Sequence, residues 1–492
     1  MRTLLLLSTG LAFMASACAP NADEADTAAA TPEPNEAAIS SPGERPPNIV
    51  LIIGDDHGWP YYGFLGDENV VTPHLDALAE RSVVFELAHS SSNYCRPTLQ
   101  SLVTGLYPSQ YMPRMEALAA PILAEDEAFQ AAQGRERHAR RTIAESSRIE
   151  EFQTLPRVLA EHGYASFQGG KWWEQSYAHG GFTHGMSEGF AWSDMMTDGG
   201  FFEFMGGRGI ELGRTTMDPV LDFISDHADQ PFFVWYGPAL PHTPLNPPAE
   251  HRAHYEVDGF SESARDYYGN ITWFDHGIGQ VIAQLDAEGV LDNTIIAYVN
   301  DNGWEQPADE EYLGDHDLYS NGGRRGKSSL FDTAFRTPIL FSWPGEIDPA
   351  RDTETLVNAV DIVPTLLDLV DIEGPDGLPG YSLEPIFEGQ AYDGRDYLIG
   401  RTDSLRGDSD PMGNPVGVSE DLMGRDIVAY YLRSHRWHFV WIPADETLIL
   451  YDLLNDPDAT TNVAEQNGEL IAHFREEIDT WRAQYVEYEG GL

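Results

Sequence analysis

Cys95 is the residue around which the chemistry of this chain gathers. It stands in Ser91-Ser92-Asn93-Tyr94-Cys95-Arg96-Pro97-Thr98, and the run behind it ends in Thr104-Gly105. Pro97 suits the first turn of a helix, where a missing N–H costs nothing. The Cys95 thiol is then expected at a helix N-terminus, in the positive field of unsatisfied N–H groups. That setting lowers a thiol pKa and favours a nucleophile. The competing reading is a buried structural cysteine at a loop–helix junction.

Oxygen ligands lie on either side of it in the sequence. Asp55-Asp56-His57-Gly58 follows the apolar run 48–53, and Asp301-Asn302-Gly303 follows the apolar run 294–299. Adjacent carboxylates repel unless a cation lies between them. Four oxygens favour Ca2+ or Mg2+ over zinc. Turns use Asp and Asn freely, so either stretch alone says little. Both at strand ends, where α/β sheets bind ligands, point to one metal site. Three more groups carry charge or a proton: Lys171 in Gly170-Lys171-Trp172-Trp173, His242 in Pro241-His242-Thr243-Pro244, and Lys327 in Gly326-Lys327-Ser328. Hydrolysis of a sulfate or phosphate ester needs a nucleophile, neutralisation of the equatorial oxygens and a proton for the departing alkoxide. A cation with two lysines supplies the second, and His242 is the candidate for the third.

The Cys95 stretch resembles the signature of the type I sulfatases, Cys-x-Pro-Ser-Arg with a Leu-Thr-Gly-type ending. Cys95, Pro97, Thr104 and Gly105 match, Thr98 replaces Ser, and Leu99 stands where the family has Arg. Gly170-Lys171-Trp172 resembles the family's Gly-Lys-Trp-His, with Trp173 in place of His. Pro241-His242-Thr243-Pro244 resembles its Pro-His-x-Pro element. Lys327 matches its second lysine, ahead of an Arg336-Thr337-Pro338 similar to Arg-Val-Pro. Tyr451-Asp452-Leu453, with Asp456-Pro457 and Asn462, resembles its closing subdomain.

The resemblance implies an alkaline-phosphatase-like fold. It implies that Asp55, Asp56, Asp301 and Asn302 bind Ca2+ or Mg2+, with the oxygen derived from Cys95 completing the shell. Lys171, His242 and Lys327 would contact the substrate anion. Cys95 would be converted to formylglycine, a protein-derived cofactor whose hydrated aldehyde is the nucleophile, by a formylglycine-generating or equivalent maturation enzyme. The substrate would be a sulfated small molecule or polysaccharide. Two departures bear on this. Leu99 lacks a guanidinium's donors, and Trp173 offers one N–H and no base. Arg96, Arg324 and Arg325 are the candidates for a substitute guanidinium, and His57, His179 and His316 for a substitute base.

Three functional readings stay open. The leading one is hydrolysis of sulfate esters, on sulfated carbohydrates or aryl sulfates. The second is a phosphate or phosphonate ester hydrolase of the same superfamily. The third is a catalytically impaired, sulfatase-like protein that binds glycans. Retention of Cys95, both lysines, His242 and all four oxygen ligands favours catalysis. Trp59, Tyr61, Tyr62, Trp172 and Trp173 are read either as an aromatic entrance for sugar or aryl rings or as core.

Positioning these groups falls to an α/β scaffold. The runs 48–53, 232–236, 294–299 and 339–341 are continuous and apolar, as in strands buried on both faces of a largely parallel sheet. Helical patterns at 75–81, 155–162 and 278–288 alternate with them, which predicts a large mixed, mainly parallel sheet flanked by helices. Residues 115–149 read as a charge-rich helical insertion containing Arg135, Arg137, Arg140 and Arg141. Alternating patterns at 427–433, 437–442 and 447–451, then a helical one at 470–484, predict a small C-terminal α+β subdomain. The division expected is 1–17 signal peptide, 18–47 tether, 48–400 catalytic domain and 401–492 C-terminal subdomain.

The 492 residues carry 80 acidic and 29 basic side chains, a formal charge of −51. That balance argues against nucleic acid and anionic lipid surfaces as partners, and any anion site must carry its own local positive charge. Of the two cysteines, Cys18 closes a short apolar segment as Ala15-Ser16-Ala17-Cys18, too short to span a membrane and similar to a lipobox. The expectation is an exported periplasmic or outer-membrane lipoprotein, lipidated at Cys18 and touching the membrane only through that anchor. Cys95 is then left without a disulfide partner.

Overall fold

The computed structural model describes residues 45–196, 200–257, 259–304, 326–402, 428–444 and 446–486. The signal segment, Cys18, His316, Arg324 and Arg325 lie outside the described residues. Residues 43–492 belong to one compact unit. No helix among the described residues is long and apolar enough to cross a membrane.

In chain order the strands are β1 (Asn48–Gly54), β2 (Val83–Phe85), β3 (Ala88–His89), β4 (Ala165–Gly170), β5 (His184–Gly185), β6 (Phe232–Gly237) and β7 (Thr294–Asn300). They continue as β8 (Ile339–Ser342), β9 (Ala350–Asp352), β10 (Val357–Asn358), β11 (Leu398–Thr402), β12 (Ala429–Arg433), β13 (Trp437–Ile442) and β14 (Thr447–Asp452). The main sheet runs β5-β4-β6-β1-β7-β8-β2-β9, with β8 antiparallel to both its neighbours and the other pairings parallel. This is the mixed, mainly parallel sheet the apolar runs predict.

β1 shows why. All seven of its residues are buried, and strand alternation shares them between two cores. Ile49, Leu51 and Ile53 pack with Phe233, Trp235, Ile295 and Ala297 on one face. Val50 and Ile52 pack with Val234, Tyr236, Ile296 and Tyr298 on the other. β-branched side chains on a strand covered from both sides leave no polar face to show.

One helix differs from its expected extent. The pattern at 278–288 is the tail of a helix spanning Glu262–Ala287. Its first half buries Tyr267, Tyr268, Asn270 and Asp275, so a polar side chain sits where the periodicity calls for an apolar one. The insertion is helical, as α3 (Pro108–Glu125), α4 (Glu127–Ala131) and α5 (Gly134–Ser146), following α1 (Pro73–Glu80) and α2 (Cys95–Thr104). Two of its arginines are packed rather than merely solvated: Arg137 stacks on Phe129 at 4.0 Å, and Arg140 on Trp192 at 4.3 Å. At the C-terminal end, β11-β12-β13-β14 form an antiparallel sheet backed by the helix Gly468–Tyr485, which buries Ile471, Phe474, Ile478 and Trp481 against it.

Candidate active site

The carboxylates are brought together by strand pairing. β1 and β7 are parallel neighbours in a register that sets Gly54 beside Asn300, so the turns leaving both strands start from one edge. Side chains and backbone then lock those turns. Asp301 donates its N–H to the Gly54 carbonyl at 3.0 Å. Asp56 donates its N–H to Asp301 Oδ1 at 3.1 Å, and His57 its N–H to Asn300 Oδ1 at 2.8 Å. Asp56 has a positive φ of 67°, a conformation Asp tolerates and one found where function constrains the backbone. Gly58 is required by space: a Cβ there would sit 2.4 Å from the Trp304 ring.

Cys95 opens α2, which runs from an extended Tyr94 to a left-handed Gly105 whose N–H returns to the Ser101 carbonyl. Its sulfur is 3.5 Å from Asp55 Oδ1 and 3.9 Å from Asp56 Oδ1. Lys171, just past β4, brings Nζ to 2.7 Å from Asp55 Oδ1 and 3.3 Å from the sulfur. Lys327 Nζ is 3.0 Å from Asp56 Oδ1, and His242 Nε2 is 3.7 Å from Asp56 Oδ2. Asn302 donates its amide to Asp56 Oδ1 at 2.6 Å. Every expected catalytic, substrate and metal residue is therefore in one cluster, and all but Lys327 are buried below a tenth exposure.

The electrostatics bear on the two readings of Cys95. Burial, and then the charge of Asp301, push the Cys95 thiol well above its ordinary pKa. The helix N-terminus is there, but enclosure among carboxylates outweighs it. Burial would also raise Asp55, yet Lys171, followed by His242 and Lys327, draws it well below the usual carboxylate range. Asp301 moves the other way, raised by burial and by the charges of Asp55 and Asp56. Burial works against the charge on Lys171, but Asp55 holds it charged. His242 is lowered by burial and then by Lys171.

The donor set fits a hard divalent cation. Ligand atoms of Asp55, Asp56, Cys95 and Asp301 lie within 4.8 Å of one another. Asp55 Oδ2, Asp301 Oδ2 and Asn302 Oδ1 are buried and have no hydrogen-bond partner. Buried oxygens are rarely left so, and three of them beside mutually repelling carboxylates suit a Ca2+ or Mg2+ ion.

The substitutes for the missing arginine and histidine are elsewhere. Arg96 is engaged by Glu174, with Nε to Oε1 at 2.7 Å and Nη2 to Oε2 at 3.1 Å. Gln100 binds the same carboxylate at 2.7 Å. His57 donates Nε2–H to the Tyr61 carbonyl at 2.6 Å and accepts from Tyr298 Oη at Nδ1. Burial pushes it down to about 3, so it is a core imidazole held in one tautomer. His179 pairs with Ser176 at 2.8 Å. Leu99 is buried in the core around α2. Trp173 packs against Phe204, with its ring 5.5 Å from Lys171 Nζ. Of the aromatics read as an entrance, Tyr61, Tyr62, Trp172 and Trp173 are buried and Trp59 is half-buried.

The sequence gives no sign of the contacts that tie the loops together. Asn93, two residues before Cys95, receives the Ser328 N–H on its carbonyl at 3.1 Å and donates Nδ2–H to the Ser329 carbonyl at 2.9 Å. Thr402 of β11 donates to Asn93 Oδ1 at 2.8 Å. Asp332 accepts from His89 Nε2 and from Arg433 Nε, both at 2.8 Å. Each joins residues far apart in the chain, so local pattern carries no trace of it.

Comparison with known proteins gives the same assignment. The Sulfatase family model matches residues 47–372. An ulvan-active sulfatase of Formosa agariphila is 28% identical over 370 residues, covering 70% of this chain and 65% of that protein. The chain thus spans just under two thirds of that relative. Among solved structures, Ps i-CgsB in complex with k-i-k-neocarrahexaose superposes with a TM-score of 0.65 at 20% identity, covering 90% of this chain and 94% of that one. The phosphonate monoester hydrolase SpPMH from Silicibacter pomeroyi gives 0.62 at 21%, covering 90% and 96%. These two likenesses establish the fold, and the family match spans all eight clustered residues. The chain belongs to the sulfatase family, the type I sulfatases of the alkaline phosphatase superfamily.

Proposed function

We propose that this protein hydrolyses sulfate esters of carbohydrates, using formylglycine formed from Cys95 and a divalent cation held by Asp55, Asp56, Asp301 and Asn302. The observation that carries the reading is that ligand atoms of Asp55, Asp56, Cys95 and Asp301 lie within 4.8 Å of one another, while buried oxygens of Asp55, Asp301 and Asn302 keep no hydrogen-bond partner. The cation, when bound, supplies Lewis-acid neutralisation of the sulfate's charge. A soft thiolate suits a hard-cation shell poorly, and an oxygen nucleophile fits it better.

The chain's own residues do the rest. Lys171 and Lys327 bring two ammonium groups to the carboxylates that flank Cys95, and there they neutralise sulfate oxygens in a water-poor floor. His242 donates Nδ1–H to the Thr243 carbonyl at 2.6 Å. Its Nε2 is thereby turned to the cluster, and once protonated it is the donor to the leaving oxygen. Trp173 closes the side of Lys171 with a ring that neither gives nor takes a proton at neutral pH.

The carbohydrate preference rests on the names of relatives: one is an ulvan-active sulfatase, and one structure holds neocarrahexaose. The likeness to a phosphonate monoester hydrolase keeps a phosphate or phosphonate ester activity as the second reading. We also propose an exported lipoprotein anchored at Cys18, with 18–47 as tether, 48–400 as catalytic domain and 401–492 as C-terminal subdomain. Cys18→Ser should release it from membranes.

The test is peptide mass of the Cys95 segment, taken with turnover of sulfated oligosaccharides and of matched phosphate and phosphonate esters. Formylglycine in the active fraction and loss of turnover in Cys95→Ser are expected. Full turnover with an unmodified thiol would sink the mechanism. Faster phosphonate than sulfate cleavage would transfer the assignment to the second reading. Glycan binding without turnover in converted protein would mark a scaffold.

A further inference from the structure

His242 sits on a segment that cannot hold itself. Residues 238–248 read Pro-Ala-Leu-Pro-His-Thr-Pro-Leu-Asn-Pro-Pro, five prolines in eleven residues. Proline has no N–H to give, so the loop's carbonyls need donors from outside it. The Leu240 N–H serves the Pro238 carbonyl and the Asp55 N–H the Leu240 carbonyl, and two side chains serve the carbonyls around His242. Arg214, in the turn before the helix Asp218–Asp226, donates Nε–H to the Ala239 carbonyl at 2.9 Å and Nη2–H to the His242 carbonyl at 2.5 Å. Its Nη1 reaches the Pro244 carbonyl at 3.2 Å and Asn246 Oδ1 at 2.9 Å. From the opposite side Asn270, fully buried, places Nδ2 3.1–3.3 Å from the carbonyls of Pro241, His242 and Pro244. The guanidinium also lies 5.5 Å from the Trp273 ring, one turn along the helix from Asn270.

Arg214 has no carboxylate within ion-pair distance among the described residues. Its donors go to three backbone carbonyls and to Asn246 Oδ1, and the charge that acts on it is that of Asp55. The geometry points to Arg214 as a positioning residue for His242: its planar fork fixes three carbonyls of the loop at once, and so fixes where the imidazole Nε2 stands over the anion site. Lysine, a single point donor, cannot span those carbonyls. The inference rests on the reading of His242 as the proton donor to the leaving oxygen, and it makes the guanidinium's effect depend on the leaving group. A displaced acid matters most when the departing alkoxide is basic, and little when a stable phenolate leaves unaided.

The experiment uses converted, metal-loaded protein and two kinds of substrate: a carbohydrate sulfate, and a nitro-substituted phenyl sulfate. Arg214→Gln and Arg214→Lys are compared with His242→Ala and with the double variant Arg214→Gln/His242→Ala. Arg214→Gln should lower kcat on the carbohydrate sulfate by about 10²-fold, with KM nearly unchanged, the size of effect a displaced catalytic group gives. On the activated phenyl sulfate the loss should be less than about tenfold, and Arg214→Lys should follow the same pattern at smaller amplitude. In the His242→Ala background Arg214→Gln should add nothing. Equal losses on both substrates, or additive losses in the double variant, would overturn the positioning role while leaving His242 as the acid. A His242→Ala variant with no leaving-group dependence would instead remove the acid reading itself. Asn270→Ser, made from the buried side, gives an independent check. It should reproduce the substrate split, and a uniform loss there would count against the inference.

Discussion

Two buried acidic clusters in this molecule are built from similar parts and end in opposite states. Around Asp332 one carboxylate meets His89 and Arg433 at 2.8 Å and Arg336 at 3.9 Å. Burial would raise it, but Arg433 and His89 hold it well below the usual carboxylate range. Around Asp301 three carboxylates meet two ammonium groups, three oxygens keep no hydrogen-bond partner, and Asp301 is driven well above the usual range. In the first cluster the chain brings cations to the carboxylate and so joins β12 to the segment after Lys327, although His89 Nδ1 and Arg433 Nη1 keep no partner. In the second it is acceptor oxygens that are left over, two of them on carboxylates, and those call for a cation. A functional site announces itself here by which kind of atom is left over, not by how much charge it gathers.

That contrast can be broken most sharply at Asp301. Asp301→Asn should cut turnover by about 10³-fold or more, because it removes a charged ligand from the transition-state electrostatics. The cation-free protein should fold as well as the parent or better, since a repelled carboxylate is gone. Calcium titration by calorimetry and a melting curve without the ion would show both. At the satisfied cluster the signs reverse. Arg433→Met should destabilise by about 3–5 kcal/mol, the cost of stranding a buried charge, while cation affinity in the surviving folded fraction holds. Urea unfolding followed by far-UV circular dichroism measures it.

The next effect is a coupling of cation and pH. Asp301 has a raised folded pKa, so its contribution to stability is full below the unfolded value of about 3.9 and is lost as pH rises through the folded value. The cation-free protein should weaken with rising pH, and the gain on adding Ca2+ should grow, reaching about 2.7 kcal/mol at a hundredfold excess over Kd. Asp332 has a lowered folded pKa and runs the other way. Its contribution is full above about 3.9 and fades only as pH falls through the depressed value. Melting temperatures from pH 2 to 9, with and without Ca2+, separate the two.

The smallest effect sharpens the middle of the comparison. Asp275 accepts the N–H groups of His74 and Leu75 at the start of α1, at 3.2 and 2.7 Å, but meets no cation. Burial pushes its carboxyl up to about 7. Its contribution should therefore be lost as pH rises from about 4 through 7. Asp275→Asn should remove that slope at a cost of about 1 kcal/mol, one weakened hydrogen bond. A variant whose stability falls with pH as steeply as the parent's would place the slope elsewhere.

The ligand turns were legible because their placement is local. Asp55-Asp56 and Asp301-Asn302 each follow an unbroken apolar run, and parallel pairing of those runs does the remainder. Lys171 was legible for the same reason, at the end of β4. Arg214, Glu174 and Asp332 were not, because their partners are set by tertiary packing and no spacing encodes them. The choice between the two readings of the thiol was not legible for a related cause: a helix N-terminus can be seen in the sequence, but the depth of its burial cannot. Trp59, Tyr61 and Tyr62 show the same limit, since composition does not say which aromatic faces inward.

The bond from Thr402 to Asn93 closes a span of 309 residues. Contacts of such separation are among the last to form, because the loop they close costs entropy before it returns any. Until β11 arrives, the segment before Cys95 lacks one of its fixed points. Afterwards Cys95 is only 5% exposed. The order of assembly thus sets a clock for the proposed conversion of Cys95: its sulfur is open to a maturation enzyme on the incomplete chain, in the interval before the distant C-terminal fifth comes home.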